Sequence, residues 1–520
     1  MKLRLTKAGR VVVFTLVAAL ICVGGYFAYS HFVGDPAELI PSFGSDLLED
    51  MSVDKKPQAN PTANPYDTTI NLSLDEWIGW KPIIDANQGL TTQPGSIFDE
   101  LGLKVNIHIV NDAEASSNAL IKGDLNAAGY TLNRTAFLSG KFKDAGLDVV
   151  MPVFTNYSNG GDGIIALEEF NTVESLVDAK IGVPKFSEAQ SLIIWLVNKS
   201  DLSDAEKNKI IDNLILLDDA EQTGQAFFAG SLDAAATWQP YLSNAENSTN
   251  AHILFDTTAS NKLIMDGILF KADFAQNHPD VVSAFIDGVF KAEGMYETEF
   301  DYIRATMPMF AGASDEDIKG MCGDAGLMNY GKNVDALEND CPIVYSDMCM
   351  IWESIGETVD RSLGATLFDA SYVKALSESY SSLNTKPVFE ITEEQKESVK
   401  DIEALLTKSA SINFVGDTAK FKDNAEADTI LRDFIDMANT LDGTIIQIEG
   451  NINAVENSEG GIRLSEERAK TVKNYFIANG IDPNRILVIG NGNSKMVADP
   501  NGNDAYLNRR TDIFFKTIEN

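Results

Sequence analysis

Three groups of residues in this chain could do chemistry. Gly160, Gly161, Asp162 and Gly163 fall in the stretch TNYSNGGDGIIAL at 155–167. Glycine lets a backbone approach a ligand closely and adopt positive φ, so this stretch suits a ligand held at a crossing between two lobes. The plain alternative is a loop ahead of a buried strand. Trp77 and Trp80 follow a short strand signal at 70–74, where indoles can wall a cleft or simply pack at its rim. Ser187 to Ser191 open a helical pattern at 192–197. Such a start offers amides and hydroxyls to a polar or anionic ligand, or serves only as a helix cap. No CxxC pair occurs, and His31, His108, His252 and His278 are scattered, so no metal is expected. No nucleophile constellation is present either, and neither catalysis nor a cofactor is expected.

The elements that must position these groups alternate apolar runs with amphipathic segments on both sides of the Gly-rich stretch. Before it, strand signals at 70–74, 105–110 and 149–154 are separated by helical patterns, with Asn111 and Asp112 directly after the second. After it, a strand is expected at 181–184, and the runs at 226–230 and 232–236 lead to Trp238 and Pro240. The chain then returns through 253–255 to Asp266 and Gly267. Residues 301–383 read as helical elaboration packed on the first lobe. Farther on, 391–406 suggests a connecting helix, and strands near 410–414, 444–450, 486–490 and 510–515 with helices at 425–441 and 465–479 give a β-α-β-α-β-β order.

At 520 residues the chain exceeds one core and suggests about three domains. Its formal charge of −36 repels phosphate backbones, which argues against nucleic-acid binding. That charge leaves the ligand open, because helix N-termini inside a cleft can still hold an anion. Lys2, Arg4, Lys7 and Arg10 precede an apolar run at 11–33 without Asp, Glu, Lys or Arg. This predicts a short cytoplasmic tail, 1–10, and a single transmembrane anchor, with the bulk of the chain outside the membrane. A cleaved signal peptide is the competing reading. Residues 34–66 are rich in Pro, Asp, Ser and Asn and read as an extended linker. Cys322, Cys341 and Cys349 cluster, allowing one bridge and one free thiol in an oxidising compartment.

The order of residues over 70–296 resembles the solute-binding proteins for taurine, alkanesulfonates, nitrate and thiamine-pyrimidine precursors. The features that carry it are Trp77 to Trp80 with Gly89-Leu90, the run from Leu120 to Ala128, Gly160 to Ile164, Asp233-Ala234-Ala235 before Trp238-x-Pro240, Asp266-Gly267 and His278-Pro279. The resemblance implies an α/β two-lobed periplasmic-binding-protein fold of type II over 67–385, closing on a small polar or anionic molecule. By position it implies ligand contacts from Trp77, Trp80, Asn111, Asp112, Thr131, Asn159, Gly160, Gly161, Asp162, Ser187, Ser191, Trp238 and Asp266. An enzymatic branch of that family relies on a tight cysteine cluster and a histidine, which this chain lacks.

The segment 410–518 resembles the peptidoglycan-associating domain of outer membrane protein A and flagellar stator B subunits. The matching residues are IIQIEGNIN at 445–453, Arg463 to Ala469 (RLSEERA), Gly490-x-Gly492 and Asn508-Arg509-Arg510. It implies an α+β OmpA-like sandwich over 410–520, joined by a connecting helix at 386–409. In that family a loop Asp takes the ammonium of a diaminopimelate side chain, and an Arg fifteen residues later takes its carboxylate. Arg468 holds the Arg position here, whereas Asn453 stands for the Asp, Asn451 for a usual His, and Gly461 for a supporting Asn; Leu464 completes the site. Losing the Asp removes an ion pair. Arg468 could also be a helix-surface residue in an ordinary ion pair.

Together these readings predict a membrane-anchored, extracytoplasmic solute-binding protein tethered to the cell wall. Its expected partners are a small molecule, peptidoglycan, the bilayer through one helix, and a transporter permease. The rival is an envelope scaffold whose lobes no longer take a metabolite. A stator role would need a carboxylate within 11–33, and none is there.

Overall fold

The computed structural model describes residues 66, 68–380, 392–402, 404–456 and 458–517. The anchor expected at 11–33 and all of the linker except Tyr66 lie outside them. No helix among the described residues is long and apolar enough to cross a membrane.

The strand signals assemble into two separate sheets with the Gly-rich stretch between them. In the first, β1 (Ile70–Leu74) pairs in parallel with β2 (Val105–Ile109) and β3 (Ala127–Thr131). Next to β3 and antiparallel to it runs a strand from much later in the chain, β10 (Met265–Lys271), which also pairs with β4 (Val149–Ser158). A short β11 (Ala325–Leu327) closes that edge, giving the order β11-β4-β10-β3-β1-β2. The second sheet contains β5 (Asp162–Leu167), β6 (Ile181–Pro184), β7 (Ile215–Leu217), β8 (Ala234–Trp238) and β9 (Ala251–Asp256), ordered β7-β6-β8-β5-β9. Near-continuous apolar runs such as those of β4 and β10 are what a strand covered on both faces requires, and both are almost wholly buried.

The chain therefore crosses between lobes twice, from β4 to β5 through 159–161 and from β9 to β10 through 257–264. Thr257 ties the crossings together. Its hydroxyl lies 2.8 Å from Ser158 Oγ and accepts from the Gly160 amide at 2.9 Å. Gly160 takes φ of 82°, which favours glycine. A Cβ on Gly161 would meet Trp77 Cη2 at 2.9 Å and Asp324 O at 3.0 Å. The glycines are thus explained by chain geometry at the crossing.

Two helices begin at strand ends that face the interlobe space. Helix α1 (Leu132–Asp144) follows β3 directly and is capped by Thr131, while α2 (Glu188–Lys199) follows β6 and is capped by Ser187. The return helix α3 (Pro279–Ala292) starts with its Pro in the first turn, where a missing N–H is harmless. Helix α4 (Cys341–Ser354) packs on both α1 and α2, so the helical elaboration reaches beyond the first lobe. Trp352 Nε1 donates to Asn133 O at 3.1 Å, and Asn133 Nδ2 donates to Ser191 Oγ at 2.8 Å. Cys322, Cys341 and Cys349 are all free and buried; none is bridged.

The C-terminal sheet is ordered β12-β15-β13-β14, from β12 (Leu406–Ala410), β13 (Ile445–Asn451), β14 (Ile486–Gly492) and β15 (Thr511–Lys516). Helices α5 (Asn424–Thr440) and α6 (Glu459–Ala478) complete the β-α-β-α-β-β order. The first strand lies earlier than the 410–414 expected, because its ladder with β15 runs from Leu406 opposite Phe515 to Ala410 opposite Thr511. The connecting helix is also shorter than expected, Glu393–Ser398 with a 3-10 turn after it. Arg485, 5% exposed, donates to the carbonyls of Thr444, Ala438 and Leu441 and so satisfies the end of α5 and the turn beyond it. This domain docks on the second crossing: Asn261 N donates to Asp442 Oδ1 at 3.0 Å, and Gly443 N to Ala259 O at 3.1 Å.

Candidate functional site

Between the lobes, side chains from both sheets converge. Residues paired across an antiparallel ladder share a face, and β10 sets Asp266 opposite Thr131 on one side and Asn156 on the other. Trp77, just past β1, donates Nε1 to Asn156 Oδ1 at 2.9 Å and to Asp266 Oδ2 at 3.1 Å. In the second lobe, β5 starts with Asp162 opposite Trp238 of β8. Glu188, the first residue of α2, reaches the first lobe. It accepts from Thr131 Oγ1 at 2.8 Å and from Arg134 Nε and Nη2 at 3.2 and 2.9 Å, a bidentate guanidinium pair across the lobes.

The electrostatics of this space are acidic. Burial pushes Asp162 up to about 7, aided by repulsion from Glu188 and Asp324, while the Ser158 hydroxyl opposes the rise. Asp266 is pushed well above the carboxylate range by burial and then by Asp75, Glu188 and Asp162. Asp75 is raised by burial, although Trp80 Nε1 donates to its Oδ1 at 2.6 Å. Glu188 goes the other way: burial would raise it, but the Arg134 pair outweighs that and holds it below its usual range.

The sequence-derived candidates divide accordingly. Trp77, Thr131, Asp162, Trp238 and Asp266 border the interlobe space, with Gly160 and Gly161 forming the crossing beside it. Trp80 is buried in the first-lobe core and supports Asp75. Asn111 pairs with Glu76, and Asp112 caps the helix Ala113–Lys122; both are exposed. Asn159 bonds Gly323 O from an exposed position. Ser187 and Ser191 spend their hydroxyls on Pro184 O and Glu188 O. The sequence reading missed Asp75, Arg134 and Glu188. Glu188 lay within the stretch singled out, but its serines drew attention because capping is a local signal.

The second candidate site is a groove of about 730 Å³ in the C-terminal domain, lined by Phe414, Asp417, Asn453, Leu464, Arg468 and Arg509 among others. Arg468 is aimed by two contacts: Nε donates to Thr418 O at 3.0 Å, and the guanidinium lies 4.9 Å from the Phe414 ring centroid. Asn453 is engaged in holding a loop, with Nδ2 donating to Pro500 O at 3.1 Å and Oδ1 accepting from Asn508 Nδ2 at 2.9 Å. Asn451 is buried and donates to Asp512 Oδ2 at 2.9 Å. Asp417 exerts the attraction felt by Arg468 in this groove.

Two lobes joined by two crossings around a polar interior, followed by a small four-stranded α+β module, define the class: a two-lobed α/β fold carrying an OmpA-like domain. Residues 413–510 match the OmpA family. Over 124 residues the chain is 29% identical to outer membrane protein A of Bordetella avium, which covers 24% of this chain and 63% of that protein. The chain thus spans less than two thirds of that relative. Among solved structures, the chain is similar to the periplasmic aliphatic sulphonate binding protein SsuA from Escherichia coli, with 14% identity, 59% of this chain, 99% of that chain and a TM-score of 0.46. It is similar also to the periplasmic nitrate-binding protein NrtA from Synechocystis PCC 6803, with 11% identity, 60% of this chain, 88% of that one and a TM-score of 0.45.

Proposed function

We propose that this chain is an extracytoplasmic receptor that closes two lobes on a small polar organic molecule, while its OmpA-like domain engages peptidoglycan and the segment at 11–33 anchors it in the membrane. The observation that carries the receptor reading is the convergence of Asp266, Trp77 and Thr131 from one lobe with Asp162 and Glu188 from the other, beside paired crossings that can act as a hinge. Burying so many polar groups between lobes is costly unless they serve a ligand or each other. The role in this reading is capture, with delivery to a permease or reporting of the ligand's presence as its outcome.

The wall reading rests on Arg468, aimed into an open groove by Thr418 O and the Phe414 ring, which leaves its Nη groups to meet a planar carboxylate. Co-sedimentation of the purified full chain with cell-wall sacculi tests it. Arg468→Ala should lower the bound fraction severalfold, and undiminished sedimentation would remove Arg468 from the wall contact. For the receptor reading, native mass spectrometry of the purified full chain should reveal a co-purifying small molecule, or binding from a metabolite panel. An empty chain that binds nothing across the panel would favour the envelope scaffold, in which Arg134 and Glu188 close the lobes with the chain's own charges.

A further inference from the structure

The interlobe interior carries carboxylates from four separate elements, Asp75 after β1, Asp162 on β5, Glu188 on α2 and Asp266 on β10. The positive charge that meets them is Arg134, whose Nε and Nη2 are already committed to Glu188. Asp162 and Asp266 are 8% and 4% exposed. Asp266 spends one oxygen on Trp77 Nε1, and its other oxygen has no partner among the described residues. Asp75 is exposed, and its Oδ1 accepts from Trp80 Nε1. The side chains are not arranged to hold a metal: no group of three His, Cys, Asp or Glu among the described residues could chelate one. Trp77 and Trp238 stand beside Asp266 and Asp162, and both are partly exposed.

An anion is poorly served here. The start of α2, the amide-rich end that would attract it, already carries Glu188, and Ser187 already accepts from the Gln190 amide. The four carboxylates would repel it further. A cation with an apolar body meets the opposite conditions, because unpaired buried carboxylates neutralise it and indole faces attract it.

We propose that the interlobe site takes a small organic cation, an alkyl- or quaternary ammonium compound, with Asp162 and Asp266 as counter-ions contributed by the two lobes and Trp77 and Trp238 as flanking walls. Binding then draws both carboxylates into the ionised form around one positive charge, so the ligand's differential affinity for the closed state comes from charge. This inference rests on the receptor reading above.

The test is isothermal titration calorimetry on the purified full chain at constant ionic strength. The cationic probes are choline, tetramethylammonium, putrescine and spermidine; the anionic probes are methanesulfonate, ethanesulfonate and nitrate. At least one cationic probe should bind with saturation, and Asp266→Asn, which keeps an acceptor for Trp77 Nε1, should weaken it at least tenfold. Asp162→Asn should do the same from the other lobe, and circular dichroism should show both variants folded. Binding of an anionic probe with none of a cationic one overturns the cation assignment and leaves the receptor reading standing. No binding of any probe, together with an empty chain by native mass spectrometry, overturns both. Equal cation binding by wild type and both variants would also overturn the assignment, since the heat would then come from the acidic surface.

Discussion

Replacing Asp162 by Asn should make the protein more stable, and only above mildly acidic pH. Asp162 begins β5 at the crossing between lobes, and burial with the neighbouring Glu188 and Asp324 raises it from 3.8 to about 7. A carboxyl raised on folding contributes stability in its protonated form. That contribution is full below pH 4 and is lost as the pH climbs through about 7. At pH 8 the ionised group has cost the closed state about 4 kcal/mol, taking 1.36 kcal/mol per unit. Asn is nearly isosteric, stays neutral and can keep the contact with Ser158. The gain for Asp162→Asn should thus be near zero at pH 4 and reach about 4 kcal/mol at pH 8, less whatever the wild type recovers by opening its lobes to rehydrate the carboxylate. With roughly 2–4 °C per kcal/mol for domains of 150–250 residues, a rise of several degrees in the unfolding midpoint is expected at pH 8. Thermal scans followed by tryptophan fluorescence at pH 4, 6 and 8 measure it. A gain that is the same at pH 4 and pH 8, or absent at pH 8, would refute the placement of Asp162 in a desolvated, acid-lined interior.

Elsewhere the structure makes two further demands. Lys81 and Asp85 form an ion pair at 2.5 Å with both side chains wholly buried, and Lys81 also donates to Met295 O; Lys81→Met should destabilise the first lobe by about 3–5 kcal/mol in urea denaturation, because Asp85 is left uncompensated. The double variant with Asp85→Asn should recover part of that loss, and a single variant as stable as wild type would contradict the buried pair. Arg485→Ala removes three carbonyl partners inside the C-terminal domain, so hydrogen exchange at the end of α5 should speed up with a loss of about 3 kcal/mol or more. Unchanged protection there would mean that water replaces the guanidinium without penalty.

The C-terminal domain was legible because its signals are local. The strand IIQIEGN at 445–451 falls where the sequence pattern puts it, and the helix bearing Arg468 is there too but begins at Glu459, six residues before the 465 expected. Even the departure at Asn453 was visible, though its use was not: its bond to Asn508, 55 residues on, joins a loop to a distant 3-10 turn. The two lobes were legible from apolar runs flanking Gly160 to Gly163, since buried strands need continuous apolar sequence and a crossing needs glycine. Ser187 and Asp112 were visible as polar residues ahead of helical patterns, and both turn out to be caps, which is what residues of that type at that position do unaided.

The sequence by itself thus determined the elements, the division into two α/β lobes and a small α+β domain, and the overall acidity. It left the character of the interlobe site undecided, because that character depends on which charges share a low-dielectric space. Arg134 and Glu188 are 54 residues apart, and Asp75 and Asp266 are separated by most of the first two lobes. Only the antiparallel insertion of β10 between β3 and β4, and the closure that brings the start of α2 against Thr131, put those carboxylates within reach of one another. Periodicity records which way a residue faces within its own element, whereas Coulomb interactions depend on distance through space, which tertiary packing sets.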